Sequence, residues 1–511
     1  MPPLRLDYKY VSKLMKEVHQ SVVNIGLVMV IMSLVVMSSC RKDEVFAGDR
    51  AQLSFSTDTL TFDTVFTQVG SATRSFKIYN KESSDVTVDV SVGDPTRTFF
   101  RLNVDGIAGT SVENVRIGAN DSIYVFADVT VDPDNPLSIS PFVIEEDLLI
   151  TSGNTSEKVQ LVAWGQNANY VGGTDGNGKV FQLTCENGMA LWDDPKPYVI
   201  YGILFVNECL LTIPAGTDVY VHGGVVVRDT VIYNDGFLIA TSTGTIICEG
   251  TADAPVTFQG DRLEDAFDDR AGQWVGIRLL AQSRGNRFSH TKIKNSSVGI
   301  FADSLSSLSL ESCEIKNTTG SGLVGIYADI TASNTLIYEN GQNAVTLAQG
   351  GNYDFTYCTF TSYGNQLPAL SMFNYREYFV EDGDNFFIAQ PLSARITNTI
   401  ITGNDTDEIS LDDITDGEAG FFDFEFDHCA VTVEDLLAND AWPNFFDNCN
   451  ECVRARFGDA IFADIDQPDY RPDTLSILEM QATPLPSIFE DLDGNTRDAT
   501  NPDIGCYEYQ N

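Results

Sequence analysis

Between Phe288 and Val431 a short phrase recurs as FSHTKIKN, LESCEIKN, ASNTLIYEN, FTYCTFTS, ITNTIITGN and FDHCAVT. Aligned on its apolar residue, it places Ile293, Ile315, Ile337, Phe360, Ile401 and Val431 in one column, with opening steps of 22, 22 and 23 residues. A period of this length, rich in β-formers and poor in helix signals, is the mark of a stacked solenoid. Each coil adds a strand to long parallel sheets whose neighbours lie about 4.8 Å apart, and no single coil can bury its apolar face alone.

A second column runs through GQWVGIRL, SSVGIFADS, GLVGIYADI and QNAVTLAQ, aligned on Gly276, Gly299, Gly325 and Ala344 with steps of 23, 26 and 19. PALSMF, around Ala369, supplies the next coil. In this alignment Arg278, Phe301, Tyr327 and Thr346 share one outward column and Asp303 and Asp329 share the next. The two aspartates are then expected on adjacent coils, about 5 Å apart. The period breaks in the insert from Phe373 to Ala394, which carries Tyr375 and Tyr378, and again from Asp405 to Gly420.

The phrases LTIPAGTDVYVHGG (Leu211 to Gly224) and GTIICEGTADAPVTFQGD (Gly244 to Asp261) resemble the opening coils of right-handed parallel β-helices in the pectin-lyase-like superfamily. The resemblance implies a β-helix over residues 180–460. DLDGNTRDATNPDIGCYEY (Asp491 to Tyr509) resembles the terminal phrase of many exported bacterial β-helix proteins, so residues 461–511 are expected to cap the open end. The superfamily includes lyases that use Ca²⁺ with an Arg or Lys base and hydrolases that use aspartates. Neither motif is present, since Asp268-Asp269 has no downstream Gly-His-Gly and there is no Arg-x-Pro-x-x-Arg. The shared fold therefore carries no activity with it.

Upstream, residues 50–166 alternate apolar and polar positions in SFKIYN, VTVDVSV, SIYVFADVTV and KVQLVAW, separated by turn clusters, which predicts an antiparallel β-sandwich. LSFSTDTLTFDTVFTQVGSATRSFKIYN resembles the immunoglobulin-like modules of the Hydin and choice-of-anchor type. The Gly- and Asn-rich stretch 167–179 reads as a linker. The chain is thus expected to be all-β, a sandwich followed by a β-helix.

At the start, Lys9, Lys13 and Lys16 precede an apolar run from Ile25 to Val36 that ends at Met37-Ser38-Ser39-Cys40. The run is shorter than the roughly 20 residues that span a bilayer. Small residues before a lone cysteine point to a cleaved signal, residues 1–39, and a lipidation site at Cys40. This segment resembles bacterial lipoproteins. Arg41-Lys42-Asp43-Glu44, within the tether 40–49, resembles the surface-export signal of Bacteroidetes lipoproteins. Together they imply a lipid anchor in the outer membrane, with the chain facing outward.

The formal net charge is −42, from 73 acidic and 31 basic residues, and no basic stripe exists to neutralise phosphates. Nucleic-acid binding is excluded on that ground. Divalent cations fit such a surface better, and the loop Gly260 to Trp274 gathers Asp261, Glu264, Asp268 and Asp269 as candidate Ca²⁺ ligands.

Ten cysteines leave nine once Cys40 is set aside. Cys313, Cys358 and Cys429 alternate with Thr291, Thr335 and Thr399 in a column beside the apolar one, so they are expected to be buried thiols that behave as small hydrophobes. The preceding column is His290, Ser312, Asn334, Tyr357, Asn398 and His428, polar or aromatic residues at a coil turn. Its two histidines lie coils apart and cannot share a metal. Cys449-Asn-Glu-Cys452 reads as a local disulfide, or as one member pairing with another cysteine, rather than as half of a zinc site.

Three functions fit these features. The first is a non-catalytic module binding a polysaccharide or surface protein through Arg278, Phe301, Tyr327, Tyr375 and Tyr378. The second is a polysaccharide lyase or glycoside hydrolase using Asp303 and Asp329, or the loop Asp261 to Asp269. The third is a purely structural surface protein.

Overall fold

The structure, a computed structural model, describes residues 51–510 apart from 67–70, 72, 94–97, 131–141, 173–177, 229–230, 379–385, 439–441, 457–458, 460 and 475. Cys40 and the export segment therefore lie outside the described residues. Two compact units are present, the second containing Gly165–Asn511.

The first unit consists of two five-stranded sheets. One is built around Arg74–Asn80 and Ser122–Val129, the other around Val86–Val92 and Ser111–Ile117, each pair antiparallel. In Val86–Val92 every second side chain is buried, as the alternation predicted. Phe62 and Phe100, one from each sheet, bring their rings to 5.5 Å across the interior.

The second unit is a parallel β-helix. Sheet I has eleven strands, from Asn169–Val171 to Val453–Arg454. The predicted apolar column holds throughout it: Ile293, Ile315, Ile337, Phe360, Ile401 and Val431 are in register and buried. A further 17 strands form one hydrogen-bonded array with two faces, sheet II, which includes Gly276–Leu279, Ile300–Ala302 and Leu370–Phe373, and sheet III, which includes Asn286–Ser289, Ser307–Glu311 and Leu392–Thr397. The long strands Leu323–Ser333 and Val345–Thr356 run through both faces, with a register shift between Ile326 and Ala328.

From His290 onward the chain passes from sheet III to sheet I through one left-handed residue. His290, Ser312, Asn334, Tyr357, Asn398 and His428 all have φ between 42 and 54°. Asn and His are among the residues that tolerate this region best. The next residue points inward, and there a hydroxyl or thiol reaches back to the carbonyl two residues earlier. Thr291 bonds Ser289, Cys313 bonds Glu311, Thr335 bonds Ser333, Cys358 bonds Thr356, Thr399 bonds Thr397 and Cys429 bonds Asp427. Thr and Cys share the column because both are small enough for the core and carry a donor for that carbonyl.

The second column is corrected by the structure. Ile277, Ile300, Leu323, Val345 and Leu370 are in register, so the small-residue column is Gly276, Gly299, Gly322, Ala344 and Ala369. Gly325 belongs to a repeated Val-Gly-Ile that sits three residues out of phase. The true positions are tight: a Cβ at Gly299 or Gly322 would lie 2.4 Å from Ile315 or Ile337.

The insert that breaks the period carries an antiparallel hairpin, Tyr375–Tyr378 paired with Phe386–Ala389. One further expectation changes. The C-terminal phrase does not cover the open end. Aromatic residues just after the last full coil do so, with Trp442 against Phe422 and Phe424, and Phe445 against Phe424 and Phe426. The C-terminal segment instead clasps the flank of the helix. Leu478, Ile504 and Tyr507 pack with Leu336, Tyr338 and Ile400 on the outside of sheet I. Asn398 at the corner exchanges two hydrogen bonds with Thr483, both 2.8 Å. Arg497 is 5% exposed, donates to Asn334 Oδ1 and the Gly505 carbonyl, pairs with Glu508 and lies 3.9 Å over the Tyr357 ring.

At the other end Cys185 and Cys209 form a disulfide between the first two coils. The clasp predicts a sharp mutational effect. Arg497→Ala strands a buried carboxylate and is expected to lower stability by about 3–5 kcal/mol, with Arg497→Lys recovering part of it, read from denaturant midpoints of the full chain.

Candidate binding surface on sheets II and III

The predicted acidic and aromatic face survives in part. Arg278 and Phe301 are neighbours in register, with the guanidinium 4.6 Å from the ring centroid. Their column continues through Val324, Thr346, Ser371 and Ser410. Tyr327 is not in it. Its φ is 47°, and its carbonyl accepts from the Leu305 amide at the turn between sheets II and III.

The three-residue slip also separates the two aspartates. Asp303 bonds Arg278 Nη2 at 3.2 Å. Asp329 is in register with Ser307, faces Arg284 Nη1 at 3.4 Å and accepts from Asn352 Nδ2 at 2.8 Å. Each carboxylate is matched to its own arginine, so they do not form the close pair that a retaining glycosidase needs.

Asp329 instead lines an open groove of about 600 Å³ on the outer face of sheet III. Two columns form its floor. One runs Ser307, Asp329, Asn352, Ser393, and the other runs Arg287, Ser309, Thr331, Asp354, Arg395. Short hydroxyl and amide groups occupy the middle, while Arg287–Glu311 at 3.2 Å and Arg395–Glu425 at 3.8 Å stand at the sides. Beneath the floor the Tyr353 hydroxyl donates to the Gly350 carbonyl at 2.7 Å, and burial holds its phenol well above the usual range.

The aromatic hairpin leads directly into this surface, because Leu392–Thr397, which carries Ser393 and Arg395, follows it in the chain. Tyr378 stacks on Phe386 with ring centroids 5.1 Å apart. Tyr375 packs edge-on against Phe387 and donates to Asp412 Oδ2. That hydrogen bond, with lesser help from burial, pushes the Tyr375 phenol up to about 12. Phe386 and Phe387 remain 48% and 45% exposed.

The four candidate Ca²⁺ ligands do not converge. Asp261 bonds His222, Glu264 bonds Arg262, Asp268 bonds Lys294 and Asp269 faces Lys316. Among the described residues no cluster of three or more His, Cys, Asp or Glu has metal-binding geometry. The physical reason is register. Lys294 and Lys316 are directly paired on adjacent strands, and like charges so placed repel. The Asp268-Asp269 doublet neutralises them.

His222 was missed in the sequence. Tyr201 pairs with it, and Val221 pairs with Gly260, which sets Asp261 one coil further on. Aligning VYVHGG with VTFQGD by strand would have revealed the contact. The Tyr201 ring stacks on the imidazole at 4.5 Å, and Asp261 Oδ2 lies 2.7 Å from Nδ1.

Burial draws the His222 pKa down, but the Asp261 hydrogen bond and charge, with Asp235 behind, outweigh it and leave a net rise. A raised folded-state pKa means that the contribution to stability is complete below the ordinary histidine value of 6.5 and is lost as pH rises through the folded value. We expect the His222 ring protons to titrate above 6.5 by NMR, and Asp261→Asn to return them to or below it.

Residues 275–371 match the family described as "Right handed beta helix region". No curated protein matches the chain. Among solved structures, the catalytic domain of a GH87 alpha-1,3-glucanase aligns over 71% of this chain and 81% of its own, at 9% identity and TM-score 0.19. A protein of unknown function from Porphyromonas gingivalis W83 aligns over 26% and 60%, at 15% identity and TM-score 0.18. A family 123 glycoside hydrolase from Clostridium perfringens aligns over 24% of this chain and only 30% of its own length, at 7% identity and TM-score 0.19. These distant alignments carry nothing about activity. The family match and the register together describe an all-β chain whose second unit is a right-handed parallel β-helix.

Proposed function

We propose that this chain is a lipid-anchored, surface-exposed protein whose β-helix binds a glycan or another extracellular partner without turning it over. The anchoring half of the proposal rests on the apolar run Ile25 to Val36, Cys40 and the Arg41-Lys42-Asp43-Glu44 tetrad. The binding half rests on one observation. The sheet III groove has a floor in which Ser307, Ser309, Thr331, Asn352 and Ser393 lie around Asp329, whose carboxylate is engaged by Asn352 and Arg284, with Asp354 beside them.

Hydroxyl and amide groups exchange hydrogen bonds with a polyhydroxylated ligand for hydrogen bonds with water, at a net gain of about 0.5–1.5 kcal/mol each. Useful affinity therefore needs several rungs at once, and an open groove along stacked coils supplies them. The exposed rings of the hairpin add apolar faces beside it. Glycoside hydrolysis would need a carboxylate pair held free for acid and base work, whereas Asp303 and Asp329 are committed to separate arginines.

The test uses the mature chain and a panel of neutral and acidic polysaccharides, with and without Ca²⁺. Binding is expected without new reducing ends or unsaturated products. Thr331→Trp, which puts a large ring into the floor, should weaken it by at least about tenfold, or 1.4 kcal/mol. Product formation lost in Asp329→Ala would establish the enzyme in its place.

A further inference from the structure

Three free cysteines meet at the last coil. Along the helix, the final inward residue of each sheet III strand is Phe288, Leu310, Ala332, Phe355, Ile396 and Phe426 in turn, and Cys449 follows them in register. The first inward residue of sheet I is Thr291, Cys313, Thr335, Cys358, Thr399 and Cys429. Cys452 follows these, since Ala430 pairs with Val453 and the Val453 amide bonds the Cys429 carbonyl at 2.8 Å. Glu451, between them, has φ 51°, so Cys449 and Cys452 face inward from the two sides of one left-handed corner. Every earlier coil from Phe288 onward has an apolar residue at the first of these positions. Only the last has a thiol at both.

Exposure and contacts distinguish the three sulfurs. Cys429 is buried, while Cys449 and Cys452 are partly exposed. Cys429 Sγ lies 3.2 Å from the Ile396 carbonyl. Contact with the Cys429 and Cys449 sulfurs lowers the Cys452 pKa, and contact with Cys452 raises that of Cys449. A sulfur stabilised as thiolate at a partly open position is the nucleophilic one.

We infer that Cys449 and Cys452 form a thiol–disulfide exchange site, with Cys452 as the attacking sulfur, Cys449 as the resolving sulfur, and an external disulfide as the oxidant. Cys452 attacks one sulfur of R–S–S–R, forming a mixed disulfide and releasing RS⁻, which takes a proton. Cys449 then loses its proton and attacks Cys452 Sγ, displacing the second RS⁻. Two protein thiols are oxidised to one disulfide, and one external disulfide is reduced to two thiols. The bond closes the last coil beside the aromatic residues that cover it, as Cys185–Cys209 joins the first two coils.

The test uses the reduced full chain, oxidised glutathione as the probe, alkylation of remaining thiols and non-reducing peptide mass mapping. A Cys449–Cys452 disulfide is expected, with Cys429 alkylated only after unfolding. Cys449→Ser should trap glutathione on Cys452, and Cys452→Ser should lose both products. In the unmutated chain, iodoacetamide at pH 6 should modify Cys452 at least about tenfold faster than Cys449, from the difference in thiolate fraction. A Cys429–Cys452 bond, glutathione held preferentially on Cys449, or equal alkylation of the two would each overturn the assignment.

Discussion

The single left-handed residue between sheets III and I is the constraint on which the rest of the helix depends. A non-glycine residue in this conformation costs about 1–2 kcal/mol. In this chain the corner recurs from coil to coil, so it must be repeatedly offset. The Thr or Cys that follows supplies part of the offset by bonding the carbonyl just before the corner. Stacking supplies the remainder, since each corner amide bonds the coil beyond, as His290 N does with the Glu311 carbonyl at 2.8 Å. A one-residue corner leaves no room for insertion. From His290 onward all variation in coil length is therefore displaced to the other two turns, whereas in the earlier coils this connection spans three to six residues. The acidic loop lies between Val256–Gly260 of sheet I and Gly276–Leu279 of sheet II. The aromatic hairpin lies between Leu370–Phe373 of sheet II and Leu392–Thr397 of sheet III.

This division explains which features were legible in the sequence. Columns on either side of the rigid corner keep a constant offset, so the Ile293 and Thr291 columns could be read by eye and both hold. Sheet II lies beyond a variable turn, and there the repeated Val-Gly-Ile gave a false anchor. The uneven steps of 26 and 19 were the available warning, because Gly322 divides the same interval into 23 and 22. The slip moved Tyr327 into a column it does not occupy and made neighbours of Asp303 and Asp329. The clasp was legible as a unit but not in its position. Asp491 is satisfied by the amides of Asp493, Asn495 and Glu508 within its own phrase, while Asn334 and Asn398 lie far upstream with no shared pattern.

Charge follows the same geometry. With 31 basic residues against 73 acidic ones, a cation on an outer face readily finds a carboxylate on a nearby rung. Arg278–Asp303, Arg287–Glu311, Lys292–Glu314 and Arg395–Glu425 all connect adjacent coils. Such exposed pairs are each worth only about 0.2–1 kcal/mol, so their weight lies in matching charge along a column rather than in stability. Their consequence for chemistry is larger. An acid already matched to an arginine or a lysine is poorly placed to act as a free base, and this removes most of the aspartates that the sequence made attractive.

What remains bounds the ligand. Inward columns carry the fold, so outward ones are free to vary in chemistry from rung to rung. On sheet III one outward column changes from Arg287 through Ser309 and Thr331 to Asp354 and Arg395. The neutral section is therefore short and is closed by charge at both ends. Its charged ends, Arg287 and Asp354, are three rungs apart, or about 14 Å at the spacing of paired strands. A ligand lying along this column meets uncharged donors and acceptors only on the two rungs between them, Ser309 and Thr331. A ligand crossing the axis meets Asn352 and Asp354 on the same strand, with Asp329 and the turn at Tyr327 one rung back. The surface thus favours a short polar segment of a longer partner, held by a rigid floor and bordered on the next strand by the aromatic hairpin.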